Sequence, residues 1–265
     1  MKCLFLIALL WGTAAQAQDM LRMAVTTSFH NSGLADVLLP AIKNDLALEV
    51  QLLVVGTGQA LKLGEAGDVD AILVHSRSAE EVFVASGLGP HRREIMYNDF
   101  VLVGPTDDAA QIKDAKNTLT ALQSIAQTKS QFVSRGDDSG THKMELGLWA
   151  NAALAPEEFG PWYKSVGAGM GAALNTASGL DAYILTDRAS WLNFGNKAGL
   201  SLLFEGDPAL FNQYAYLPVS AERHAHVKTD LVAKLEEWLT SPRAAALIDG
   251  YTIAGEQLFR FNATP

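Results

Sequence analysis

Apolar positions along the chain follow two alternating rhythms. Residues 21–26 read as a strand, and 48–55 is a dense apolar run, the pattern of a parallel strand buried on both faces. Between them, residues 33–45 set Leu34, Val37, Leu38, Ala41 and Ile42 on one helical face, with Pro40 expected to bend the helix. The alternation goes on with helix 59–65, strand 71–74, helix 79–85 and a long extended run over 95–103 that ends at Gly104-Pro105. Helix 118–127, strand 131–134 and helix 140–154 come next, then helix 170–178, strand 182–186, a short helix near Trp191 and strands near Leu202 and Tyr216. An amphipathic helix over 229–239 packs near the end. This order predicts an α/β architecture with mostly parallel sheets. In such folds ligands bind where strands end and helices begin.

The first residues change the picture. Lys2, an apolar run over 4–11 too short to span a bilayer, and Ala15-Gln16-Ala17 read in order as an export signal over 1–17 with a small-x-small cleavage site. The only cysteine, Cys3, falls inside it, so the mature chain is expected to have no thiol, no disulfide and no thiolate ligand. No later stretch has the length of a membrane helix, and a soluble periplasmic protein is expected. The 265 residues fit one large domain or two lobes. A formal net charge of −9 without basic runs argues against nucleic acid and anionic membranes as partners. An anionic ligand would meet a repelling global field and must be held by local donors.

Three strand-to-helix junctions supply such donors. Thr26-Thr27-Ser28 follows the first strand, with Asn31-Ser32-Gly33 before the next helix. Gly56-Thr57-Gly58 follows the second strand, and Ser134-Arg135-Gly136-Asp137-Asp138-Ser139-Gly140-Thr141 joins a later strand to its helix. A helix start offers about four unpaired N–H groups and roughly half a positive charge. Glycine lets the backbone come close, so such junctions are oxyanion sites. Arg135 adds a permanent charge and a fork of donors that matches two oxygens of a tetrahedral anion. Ser139, Gly140 and Thr141 add hydroxyl and main-chain donors, while Asp137 or Asp138 holds Arg135 and caps the helix. Taken one at a time, Ser139 reads as a simple cap and Arg135 as a surface charge. The three junctions together favour a site.

Two other chemistries compete. Asp138-Ser139-Gly140 is superficially like a serine-protease nucleophile, but the downstream glycine is absent, the α/β pattern is wrong and His142 would share the helical turn of Ser139. Among His30, His75, His91, His142, His224 and His226 only His224 and His226 are closely spaced, and solvated loops are their expected place; no metal site is read.

The same segments resemble the solute-binding proteins of tungstate-specific ABC transporters, the TupA-like family. The resemblance spans nearly all of the mature chain. It is carried by Thr26-Thr27-Ser28 with Ser32-Gly33-Leu34, by Val55-Gly56-Thr57-Gly58-Gln59-Ala60-Leu61, by Gly67-Asp68-Val69-Asp70 with Val74-His75, and by Met96-Tyr97-Asn98-Asp99-Phe100. Its most distinctive piece is Phe132-Val133-Ser134-Arg135-Gly136-Asp137-Asp138-Ser139-Gly140-Thr141-His142, followed by Trp162-Tyr163, Gly169-Met170-Gly171, Leu185-Thr186-Asp187-Arg188 and Glu205-Gly206-Asp207. Phe29 stands where the family has a further small hydroxyl residue, and Ala189-Ser190 where it has Gly-Thr. The Arg-x-Asp-x-Ser-Gly-Thr element is also similar to that of phosphate-binding proteins.

The resemblance implies a type II periplasmic-binding-protein fold, two α/β lobes with mostly parallel sheets and two crossover strands around a cleft. With crossovers at 95–103 and 214–220, lobe one is expected over 19–99 and 216–265 and lobe two over 100–215. Thr27, Ser28, Thr57 and Gly58 then face Arg135, Ser139, Gly140 and Thr141 across the cleft. The implied ligand is tungstate, with molybdate the near-equal alternative in size and charge and sulfate or phosphate next; no cofactor and no catalysis are implied, an exported serine hydrolase being the other class. The implied partners are the permease and ATPase of an ABC importer, with the carrier itself a monomer. Arg135 and two or three helix starts roughly match the double charge of tungstate. A shell of donors alone, with Asp137 and Asp138 committed elsewhere, would reject the protonated phosphate.

Overall fold

The computed structural model describes residues 19–264. The expected export signal over 1–17, with Cys3, lies outside the described residues. The chain opens with strand β1 (Asp19–Thr26), helices α1 (Thr27–Asn31) and α2 (Leu34–Leu46), strand β2 (Leu48–Val55), helix α3 (Thr57–Ala66), strand β3 (Ala71–Val74) and helix α4 (Arg77–Ala85). α2 runs through Pro40, which sits on its exposed side. β1 pairs in parallel with both β2 and β3. β2 is an edge strand that exposes Gln51 and Val54, and so is not buried on both faces as its apolar run suggests.

Strand β4 (Arg93–Pro105) then leaves this sheet for a second one. There follow α5 (Thr118–Thr128), β5 (Phe132–Ser134), α6 (Gly140–Asn151), β6 (Tyr163–Ser165), α7 (Met170–Leu180), β7 (Tyr183–Asp187), α8 (Arg188–Asn193) and β8 (Leu200–Phe204). Strand β9 (Phe211–Pro218) returns, and α9 (Thr229–Leu239), α10 (Pro242–Asp249), the hairpin β10 (Thr252–Ile253) with β11 (Glu256–Gln257), and β12 (Arg260–Phe261) complete the chain.

The strand order is β2-β1-β3-β9-β4 in the first half and β4-β7-β5-β6 in the second, with β12 and β8 added beside β4. β4 therefore belongs to both sheets. Its residues Arg93 to Asp99 pair with β9, and Phe100 to Val103 pair with β7. By this pairing the return begins at Phe211, opposite Asp99, five residues before the boundary the sequence suggests. Within the second sheet the period of two is explicit: Phe100 and Leu102 join the core that holds Phe132 and Trp149, while Val101 and Val103 face Ile184 and Leu174. The first sheet has its own core, with Leu21, Ile72, Tyr216 and Leu235 fully buried.

Candidate functional site

Each junction marked in the sequence lies where a strand hands over to a helix. β1 ends at Thr26, whose side chain caps α1 by accepting from Phe29 N–H at 3.3 Å. β2 ends ahead of Gly56, and α3 begins at Thr57. β5 ends at Ser134, and Ser139 caps α6, its Oγ accepting from His142 N–H at 3.2 Å. The reason is topological: parallel strands point one way, so the helix starts gather at one end of each sheet.

The first two junctions belong to the first sheet and the third to the second, yet they meet. A Cβ placed on Gly140 would lie 2.6 Å from His75 Cε1 and 3.0 Å from Thr57 Oγ1. One placed on Gly58 would lie 2.8 Å from Asp138 Oδ2. The two sheets' helix starts thus close on one another, and glycines make the approach. Thr26, Ser28, Thr57, Arg135, Ser139 and Thr141 are all buried there, while Thr27 and Gly58 are half-buried. Thr57 Oγ1, Thr141 Oγ1 and Arg135 Nε are buried without a hydrogen-bond partner among the described residues. Buried polar atoms are ordinarily paired, so unmet donors converging from two sides fit a ligand rich in acceptor oxygens. No group of metal-ligating side chains occurs among the described residues.

Arg135 forms an ion pair through Nη2 with Asp137, whose other oxygen accepts from Ser139 N–H at 3.3 Å. Burial pushes the Asp137 carboxyl up, but the contacts with Ser139 and Arg135 outweigh it and hold it below its ordinary range. Asp137 is thereby committed to both partners, as expected. Asp138 is not: it is exposed and pairs with Lys143 at 3.3 Å. A further carboxylate, Asp187, is buried and lies within the field of Arg135; burial raises its pKa, and Ser190 donates to it from N–H at 2.9 Å and from Oγ at 2.7 Å. The positive charge of Arg135 is therefore partly neutralised, and more of the attraction for an anion falls to neutral donors and helix starts than a simple count of charges gives.

Residues passed over in the sequence complete the site. His75 is buried, not in a solvated loop, because it ends β3 directly beneath Gly140. Its Nε2 lies 3.0 Å from Ser28 Oγ, which also meets Tyr214 OH at 3.2 Å and Thr26 Oγ1 at 3.0 Å. Burial drives the His75 pKa down to about 4, and the ring is neutral at ordinary pH. Tyr214 packs against the ring at 4.6 Å between centroids, tilted by 38°. Among the described residues His75 meets Ser28 and no carboxylate, and Ser139 Oγ meets only the backbone N–H of His142.

Known proteins give the same direction. The chain matches the PBP superfamily domain over residues 12–243. It is similar to the tungstate-binding protein TupA of Peptoclostridium acidaminophilum, with 43% identity over 252 residues, 94% of this chain and 87% of that one. It superposes on the tungstate-binding protein TupA from Desulfovibrio alaskensis G20 with a TM-score of 0.83 at 42% identity, covering 93% of this chain and 100% of that chain. A tungstate ABC transporter structure from Geobacter sulfurreducens gives a TM-score of 0.81 at 46% identity, over 89% of this chain and 100% of that chain.

Proposed function

The chain belongs to the PBP superfamily and, within it, to the family of tungstate-binding proteins, and from that premise we propose that it captures tungstate between its two lobes and hands it to the permease of an ABC importer. It is a solute-binding protein and not an enzyme. The observation that carries the reading is the meeting of Thr57 with Gly140 across the two sheets, ringed by buried donors without partners.

Each proposed contact has a physical part. Arg135 offers Nε to an oxygen while Asp137 holds Nη2. Ser139 keeps its hydroxyl proton free, since its cap bond uses only a lone pair. Gly140 and Thr141 at the start of α6, Thr57 and Gly58 at the start of α3, and Thr27 and Ser28 at the start of α1 provide main-chain N–H groups that have no intrahelical acceptor. Because the donors come from both lobes, the anion stabilises the closed arrangement. Molybdate, equal in charge and nearly equal in size, is the expected second ligand. The working site is the periplasm, reached by the export signal, and the carrier acts as a monomer.

Calorimetric titration of the mature protein with tungstate, molybdate, sulfate and phosphate tests this. Tight one-to-one tungstate binding and weak phosphate binding are expected. Arg135→Ala should weaken tungstate by roughly 100-fold or more, the scale of removing a buried charged donor. Phosphate outcompeting tungstate would overturn the choice of ligand, and silence towards all four anions would overturn the oxyanion reading.

A further inference from the structure

His75 has two ring nitrogens with different fates. Nε2 lies against Ser28 Oγ at 3.0 Å, and Nδ1 is buried with no hydrogen-bond partner among the described residues. Nδ1 stands 3.0 Å from the Cβ position over Gly140, and so does Thr57 Oγ1, another buried atom without a partner. One tetrahedral oxyanion is large enough to meet both. The ring cannot swing away: Tyr214 packs on it with centroids at 4.6 Å and Phe100 at 6.3 Å.

A neutral imidazole has one donor and one acceptor, so the tautomer decides what each side sees. Asn212 lies beside the ring; its Nδ2 donates to Asn98 Oδ1 at 2.6 Å, and its Oδ1 is a buried acceptor without a partner among the described residues. An N–H at Nδ1 suits a bound oxyanion, whereas a bare lone pair there would repel it. The proton on Nδ1 makes Nε2 the acceptor of the Ser28 hydroxyl.

We propose that His75, held as the neutral Nδ1–H tautomer, is a further anion-contacting and specificity-determining residue, donating from Nδ1 to the same oxyanion as Thr57 and the start of α6. This rests on the oxyanion reading above. It assigns Ser28 a different share of the work: its hydroxyl proton is committed to His75, and its main-chain N–H is what remains for the ligand. It also bears on selectivity. With its lone pair covered by Ser28, the imidazole shows the cleft only a donor, so the proton carried by hydrogenphosphate finds no acceptor there.

Two measurements on the full mature chain test it. Nitrogen-15 NMR of labelled histidine is expected to show Nδ1 of His75 protonated in the free and tungstate-saturated protein, with the Nδ1–H resonance moving on tungstate addition. A proton on Nε2, or no movement on saturation, would overturn the proposal without help from any variant. In parallel, His75→Asn, whose amide can sit near Nδ1, should keep tungstate affinity within about tenfold, while His75→Leu should lose roughly 10- to 100-fold. Binding by His75→Leu within threefold of the unchanged protein, with its fold intact by circular dichroism, would overturn it as well. If the unchanged protein binds no oxyanion in the prior titration, the carrier reading falls and takes this proposal with it.

Discussion

The side chains that matter most are those whose partners are fixed before any ligand arrives. That Arg135 pairs with a carboxylate of its own junction was legible in the sequence, because an Arg fork needs one; which of Asp137 and Asp138 it is was not, and the structure gives Asp137. His75 was not: a lone histidine after a strand gives no sign of whether the fold will bury it, and its contacts with Ser28, Tyr214 and Gly140 join residues far apart in the chain. Asp187 was hidden for the same reason. Glu145 is a third case. It is buried on α6, and its Oε1 accepts from Tyr163 OH at 2.6 Å and Trp149 Nε1 at 3.1 Å. Burial pushes its pKa up to about 7 from 4.5. A carboxyl whose pKa is higher folded than unfolded favours the fold fully below the unfolded value and loses that contribution as pH rises through the folded one. Glu145→Gln, which keeps an acceptor oxygen, should therefore raise stability at pH 8 by on the order of 3 kcal/mol. The gain should vanish below about pH 4.5, which melting curves across pH would record.

Helices and strands carry the site by where they begin. Their existence was legible wherever apolar runs are long. α3, α4, α5, α7 and α9 fall where the apolar pattern places them, and the long extended run proves to be β4, two residues longer at each end. The three-residue β6 and the two-residue strands at the C-terminal end carry too little pattern to read, since their pairing is decided by tertiary neighbours. α6 stops at Asn151, short of the expected Leu154, because Ala153 turns left-handed with φ 59°. Two glycines in α6 allow a controlled comparison. Gly140→Ala adds a methyl 2.6 Å from His75 Cε1 and should hold the lobes apart, weakening tungstate by roughly 10- to 100-fold. Solution scattering should show less compaction on ligand addition. Gly147→Ala meets nothing within 4 Å and should leave binding unchanged while stabilising the helix by about 0.5–1 kcal/mol.

The molecule as a whole carries a net charge of −9 and takes an anion into a cleft where its one buried arginine is already half-answered by carboxylates. Under the proposed reading affinity comes from donors fixed in place at three helix starts, and screening by salt should matter less than for a charge-driven site. Arg188, the first residue of α8, grips Asp99 of the crossing strand through Nε at 2.7 Å and Nη2 at 2.6 Å and lies 3.9 Å from Glu256 of β11. One side chain after β7 thus ties the crossing strand to the C-terminal hairpin. The crossing strand itself sets how the protein comes apart. β4 is flanked on both sides in each sheet, by β9 and β12 in one and by β7 and β8 in the other. Each lobe ends in its own half of this one strand, so fraying at the crossing costs both sheets a central ladder, and the two lobes are expected to melt together. Calorimetry should record one cooperative melting transition with equal calorimetric and van't Hoff enthalpies.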